Sequence, residues 1–177
     1  MSAPAGCSLS AFLATCSYVT WSPPLMDSQF SKSPGNVVIN DINGTIPSGS
    51  LSGLENSDGY TGTPQLSLDC GFGNSYTMTL LSDSLSSNLS WVEEMIISDC
   101  YDMVIGDGAF SVLTNMTLLT IMAGSISSIS TTAFTGLTNL TTLYFYATFP
   151  ASGVPAGLFD GLTGLTTLDM SRTGLYR

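Results

Sequence analysis

A chain of 177 residues in which 44% are apolar and only 9% are charged can bury the core of one ordinary domain, which excludes wholesale disorder. Three basic residues (Lys32, Arg172 and Arg177) against 13 acidic ones leave a net charge of −10, a surface that repels nucleic acid phosphates and anionic membranes. The chain has no histidine, so the commonest general base and the commonest metal ligand are both missing.

Read from the N-terminus, the opening Met1-Ser-Ala-Pro-Ala-Gly-Cys7 has neither a basic stretch nor a long apolar run and does not read as a signal peptide. No run of 18 or more apolar residues occurs anywhere, so no segment reads as a membrane-spanning helix. Residues 1–35 hold Cys7, Cys16, Trp21, the pair Pro23-Pro24 and a Ser/Pro-rich run to Gly35. Self-similarity begins after them. The segments Ile46–Leu54, Ile105–Leu113, Ile129–Leu137 and Val154–Leu162 each carry an aliphatic residue, a Phe or Leu five positions later and a Leu eight positions later. A degenerate fifth copy runs from Leu80 to Leu85, with Asn88 at the place of the final Leu. The Phe/Leu landmarks fall at 51, 85, 110, 134 and 159, so the last three steps are 25, 24 and 25 residues.

Between the landmarks lie short alternating runs: Leu66-x-Leu68, Met95-x-Ile97, Leu119-x-Ile121, Leu143-x-Phe145 and Leu168-x-Met170. Period-2 alternation over so few residues predicts one strand per repeat. An apolar residue three before four of these runs (Val92, Met116, Leu140, Leu165) completes an L-x-x-L-x-L pattern. No repeat buries its apolar face alone, so the strands are expected to stack in parallel while the Phe and Leu of the return segment fill the coil.

With Gly136-Leu-Thr-Asn-Leu-Thr-Thr-Leu143 and Gly161-Leu-Thr-Gly-Leu-Thr-Thr-Leu168 on view, the sequence resembles the leucine-rich repeat family, strongly over 89–177 and loosely over 36–88. The run Val37-x-x-Asn40-x-Ile42-x-Gly44-x-Ile46-Pro47 looks like the plant-type variant of that repeat. The resemblance implies an α/β, β-rich solenoid: a horseshoe of about five to six repeats with a parallel concave sheet, irregular over 36–88 and regular, with an incomplete last repeat, over 89–177. The family's Asn-ladder position holds Gly71, Cys100, Gly124, Thr148 and Thr173, so the backbone bonds that an Asn would make have to be met otherwise. The stop at Arg177, just after a strand, reads as that of an N-terminal fragment of a longer protein.

The resemblance also implies a disulfide-bearing N-terminal cap over 1–35. Phe12, Leu13, Tyr18, Val19 and Trp21 favour it over a disordered tail with free thiols, and the Cys7–Cys16 spacing suits a short helical loop closed by a bridge. Cys70 and Cys100 fall on neighbouring strands, ~4.8 Å apart, within reach of a bridge. The alternative is that Cys100 is a buried ladder-position thiol. Of the three pairings, 7–16 with 70–100 is favoured.

In such solenoids the concave sheet is the usual binding face, and Ile96, Leu118, Met122, Tyr144, Tyr146 and Asp169 are the candidate ligand-binding residues on it. Exposed Tyr anchors interfaces well; packing across the sheet would equally account for these rings. Glu93, Glu94, Asp99, Asp102 and Asp107 crowd one repeat, where solvated loop charge is the expectation ahead of Ca²⁺ ligation. Adjacent strand residues face opposite ways, so Glu93-Glu94 is no catalytic acid pair. No Ser has a His base, no phosphate loop follows a strand and no Cys has a charged activator; neither enzyme nor cofactor is expected. Asn43, Asn88, Asn115 and Asn139 stand in N-glycosylation sequons, although Asn115 and Asn139 share one repeat position and also read as consensus residues of the repeat. These features together predict an extracellular, secreted or cell-surface glycoprotein that binds a protein or glycan. The alternative is a structural component that assembles with copies of itself into a fibril or surface layer.

Overall fold

The structure, a computed structural model, describes residues 6–10, 12–17, 35–51, 54, 60–85 and 87–171. Ten strands succeed one another: β1 (Cys7–Ser10), β2 (Leu13–Ser17), β3 (Asn36–Asn40), β4 (Gly44–Thr45), β5 (Gln65–Asp69), β6 (Thr77–Leu80), β7 (Glu94–Ile105), β8 (Leu118–Ile129), β9 (Thr142–Thr148) and β10 (Thr167–Asp169). From β2 onward every pairing is parallel, in the order β2-β3-β5-β7-β8-β9-β10. Each coil of the chain therefore lies on the one before it.

The register explains why. Val37, Leu66, Met95, Leu119 and Leu143 stand one above the next, and so do Ile39, Leu68, Ile97, Ile121 and Phe145. All ten are fully buried. A one-residue slip on any strand would turn both columns out to water, which fixes the stacking.

Past the first row the coil bends and continues as a second parallel row formed by β4, β6 and the far halves of β7 and β8. Met78, Met103 and Ile126 line its inner side, with Leu80, Ile105 and Ile129 below them. The bend uses left-handed backbone at Asp41 (φ 60°), Gly71 (φ 90°) and Asp99 (φ 56°), residue types that tolerate it. The bonds of the missing Asn ladder are supplied by the backbone itself: Cys70 N–H donates to Ser98 O (3.0 Å) and Tyr101 N–H to Tyr76 O (2.8 Å). At Gly124 a Cβ would stand 2.7 Å from Tyr101 O, so the small residue there lets successive coils close up.

The return segments are turns, with one short 3-10 stretch at Ser87–Trp91 and no α-helix among the described residues. They carry the landmark side chains inward: Leu51, Leu85, Phe110 and Phe134 are buried, and Phe110, Phe134 and Phe159 stack at 5.7 and 6.0 Å. The degenerate repeat corrects the sequence alignment by one position. Leu89, not Asn88, fills the last apolar place, and the 3-10 turn absorbs the extra residue while Asn88 stays exposed.

At the N-terminal end β1 and β2 form an antiparallel hairpin with Cys7 opposite Cys16, bonded to each other across 4.0 Å between Cα atoms. This replaces the expected helical loop. Alternation in Cys7-Ser-Leu-Ser and Leu13-Ala-Thr-Cys puts Leu9, Ala14 and Cys16 on the buried side, a period a helix does not have. Tyr18, Val19, Trp21 and the Pro23-Pro24 pair lie outside the described residues. The second bridge joins Cys70 to Cys100, 4.8 Å apart, tying the coil of β5 to that of β7.

Candidate binding surface on the concave sheet

The outward positions of the first strand row form three columns across the coils. Glu94, Leu118, Thr142 and Thr167 make the first; Ile96, Thr120, Tyr144 and Asp169 the second; Met122 and Tyr146 are paired in the third. All six candidate residues thus lie on one face. Tyr144 and Tyr146, two apart on β9, stack at 6.1 Å, and the Tyr146 hydroxyl donates to Asp169 Oδ2 at 2.9 Å. That bond across coils holds the ring in place. Ile96, Leu118, Tyr144, Tyr146 and Asp169 are half-buried, whereas Met122 is exposed.

Beside this strip, where the coil bends, opens a cleft of about 490 Å³. Phe72, 91% exposed, and Tyr101, 62% exposed, stand at it with Met122, and Ala123 and Gly124 give it a low floor. Phe72 sits on a built turn: Asp69 Oδ1 accepts Gly71 N–H at 2.7 Å, and the glycines either side, Gly71 and Gly73, both have positive φ. Asp99 also lines the cleft. Its carboxyl is held above the usual 3.8, first by partial burial, then by the neighbouring Asp69 carboxylate and a hydrogen bond between the two. Asp69 in turn accepts the Ser98 hydroxyl at 2.5 Å. Reading by repeats missed Phe72 and Tyr101, because both stand outside the repeat's apolar positions; an aromatic flanked by two glycines was the available signal.

The acidic residues crowded into one repeat are spread by the fold. Asp102 accepts Ser125 Oγ at 2.6 Å and also the Ser127 hydroxyl; Asp107 accepts Ser130 and, at 3.2 Å, Thr132. Asp102, on β7, and Asp107, exposed on the following turn, bind hydroxyls of the next coil, while Glu93 stands exposed on the loop before β7. On the opposite edge, a second ladder links the turns before the strands. Thr117, Thr141 and Thr166 donate their hydroxyls to Glu93 O, Thr117 O and Thr141 O, one coil back each time. Asn115 and Asn139 donate side-chain N–H to Ser90 O (2.9 Å) and Thr114 O (2.8 Å). The Asn43 amide oxygen accepts Thr77 N–H at 3.2 Å. All four sequon asparagines are exposed.

Residues 114–175, the most regular coils of the solenoid, match the family model described as Leucine rich repeat. No curated protein matches the chain. Among the described residues no helix is long and apolar enough to cross a membrane. A parallel solenoid with its L-x-x-L-x-L leucines turned inward, and the family match over the coils where that pattern is cleanest, identify residues 114–175 as leucine-rich repeats.

Proposed function

We propose that this is an extracellular recognition module, acting by binding and not by catalysis, that grips a protein on its concave face. The observation that carries it is the stacked pair Tyr144–Tyr146 beside Met122 on a sheet whose other outward positions in these coils are mostly small and polar. Large rings already held in one rotamer lose little entropy on binding, which is what an interface anchor needs. Leucine-rich repeat domains serve as protein-interaction modules, and the two disulfides are chemistry of an oxidising compartment. Exposed sequon asparagines suit N-linked glycans on that reading, since each Nδ2 that donates to a backbone carbonyl keeps a second hydrogen to exchange for a sugar.

The test uses a display library of extracellular protein domains, selected on the chain and counter-screened on Tyr144→Ala and Met122→Ala. Both variants are expected to melt within a few degrees of the parent and to lose partner affinity at least tenfold. Partners that ignore both substitutions would overturn the concave-face reading. Intact mass of the natural material before and after deglycosylation and reduction tests the compartment: glycan mass and four protected cysteines are expected, and a bare chain with free thiols would overturn it.

A further inference from the structure

We infer that the cleft at the bend is a subsite for an arginine side chain carried by a partner protein. The inference takes from the proposed function only that the arginine's source is a protein. An exposed Phe on a rigid turn is costly to leave in water, and a patch of large apolar side chains beside a concavity marks an interaction site. Phe72, Tyr101 and Met122 form such a patch around an opening of about 490 Å³, large enough for one long side chain. What distinguishes it from a plain apolar groove is its charge.

Asp99 stands at the cleft with Asp69 beside it, on a chain of net charge −10. Two neighbouring carboxylates repel, and Asp69 adds to the burial that already holds the Asp99 carboxyl above its usual range. A cation entering beside Asp99 offsets the repulsion from Asp69 behind it and gains the aromatic faces as well. Of the two common cations, the planar guanidinium suits the place better. It stacks on a ring and offers a fork of N–H donors to a carboxylate, whereas an ammonium is a strongly hydrated point charge. Among the described residues no lysine or arginine lines the cleft. A neutral glycan would use the rings and donate hydroxyls to the carboxylates, but it carries no charge to offset their repulsion.

The probe is the peptide acetyl-Gly-Gly-Arg-Gly-Gly-amide, titrated against the full chain labelled at the methionine methyls and followed by NMR. The Met122 methyl is expected to shift and saturate, with the citrulline peptide, of the same shape but uncharged, at least tenfold weaker. Asp99→Asn keeps a residue that accepts φ 56° and removes only the charge; it is expected to lose tenfold or more. Phe72→Ser, at an exposed position, is expected to do the same without lowering the melting temperature. Tyr144→Ala lies outside the cleft and should leave the peptide unaffected, so failure here is distinguishable from failure of the concave-face proposal. Equal binding of arginine and citrulline peptides would overturn the inference. So would equal binding of the lysine peptide, or a shift of Met122 by a neutral oligosaccharide but not by the arginine peptide. Binding seen only after Arg172→Gln and Arg177→Gln would also overturn it, because the cleft would then hold the chain's own arginine.

Discussion

Asp99 shows how one residue reports a whole local arrangement. Its backbone makes the bend between the two strand rows, and its carboxyl sits at the cleft beside Asp69. A carboxyl whose folded-state pKa lies above the unfolded 3.8 holds its proton more tightly in the folded protein. Folding then binds more protons than unfolding in the window between 3.8 and the raised value, and stability falls as pH rises through that window. Above it the charged Asp99 weakens the fold. Asp99→Asn should therefore raise the melting temperature at neutral pH, and the gain should shrink as pH falls through the window and vanish below about 3.8. Melting curves from pH 3 to 7 check this; a gain independent of pH would mean the substitution acts through packing or backbone and not through charge.

At the scale of the element, the coil is held by three different cross-links: buried leucine columns, hydroxyl and amide ladders, and the Cys70–Cys100 bridge. The bridge closes 30 residues, for which loop-entropy reasoning gives roughly 3–4 kcal/mol. Cys70→Ala with Cys100→Ala should lower unfolding free energy by about that amount in urea, with the hairpin bridge left in place; a loss under about 1 kcal/mol would show that the unfolded chain gains little freedom when the link is cut. Much of this element was legible beforehand. The 24–25-residue period placed the inward columns correctly because apolar alternation has one solution once the strands stack. The hairpin at Cys7–Cys16 was not legible, since a separation of nine positions between cysteines suits either a turn of helix or two short strands. Nor was the second strand row. Its residues, such as Thr77-Met-Thr-Leu80, alternate as well, but the horseshoe resemblance put return turns where the backbone carries on as sheet. The cleft escaped for the same reason, because Phe72 and Tyr101 face outward at a bend that only the second row creates.

The whole molecule is close to one-dimensional, because each coil pairs only with the coils before and after it, β7 with both β5 and β6 of the preceding coil. Stability should then be a sum over neighbouring coils, with damage staying near where it is made. Phe134 is the place to test this. It is buried, it stacks on Phe110 and Phe159 in the coils either side, and it meets Phe145 edge-on at 6.3 Å. Deleting such a ring costs roughly 3–5 kcal/mol, enough to open the coils that contain β8 and β9. The coils of β5 and β7 share the Cys70–Cys100 bridge, and their aromatic contact with Phe134 is the stacked Phe110 ring. In Phe134→Ala, hydrogen exchange should accelerate several-hundred-fold at amides of β8 and β9 and far less at those of β5. A uniform acceleration across all strands would mean that the coils unfold as one cooperative body, and a near-neutral result would mean that the aromatic ladder is not the inner wall of the solenoid. A graded result would also matter for binding: the rings of β9 would be carried by the locally weaker coils, so loosening Phe134 should weaken partners held by Tyr144 before it affects arginine capture at Asp99.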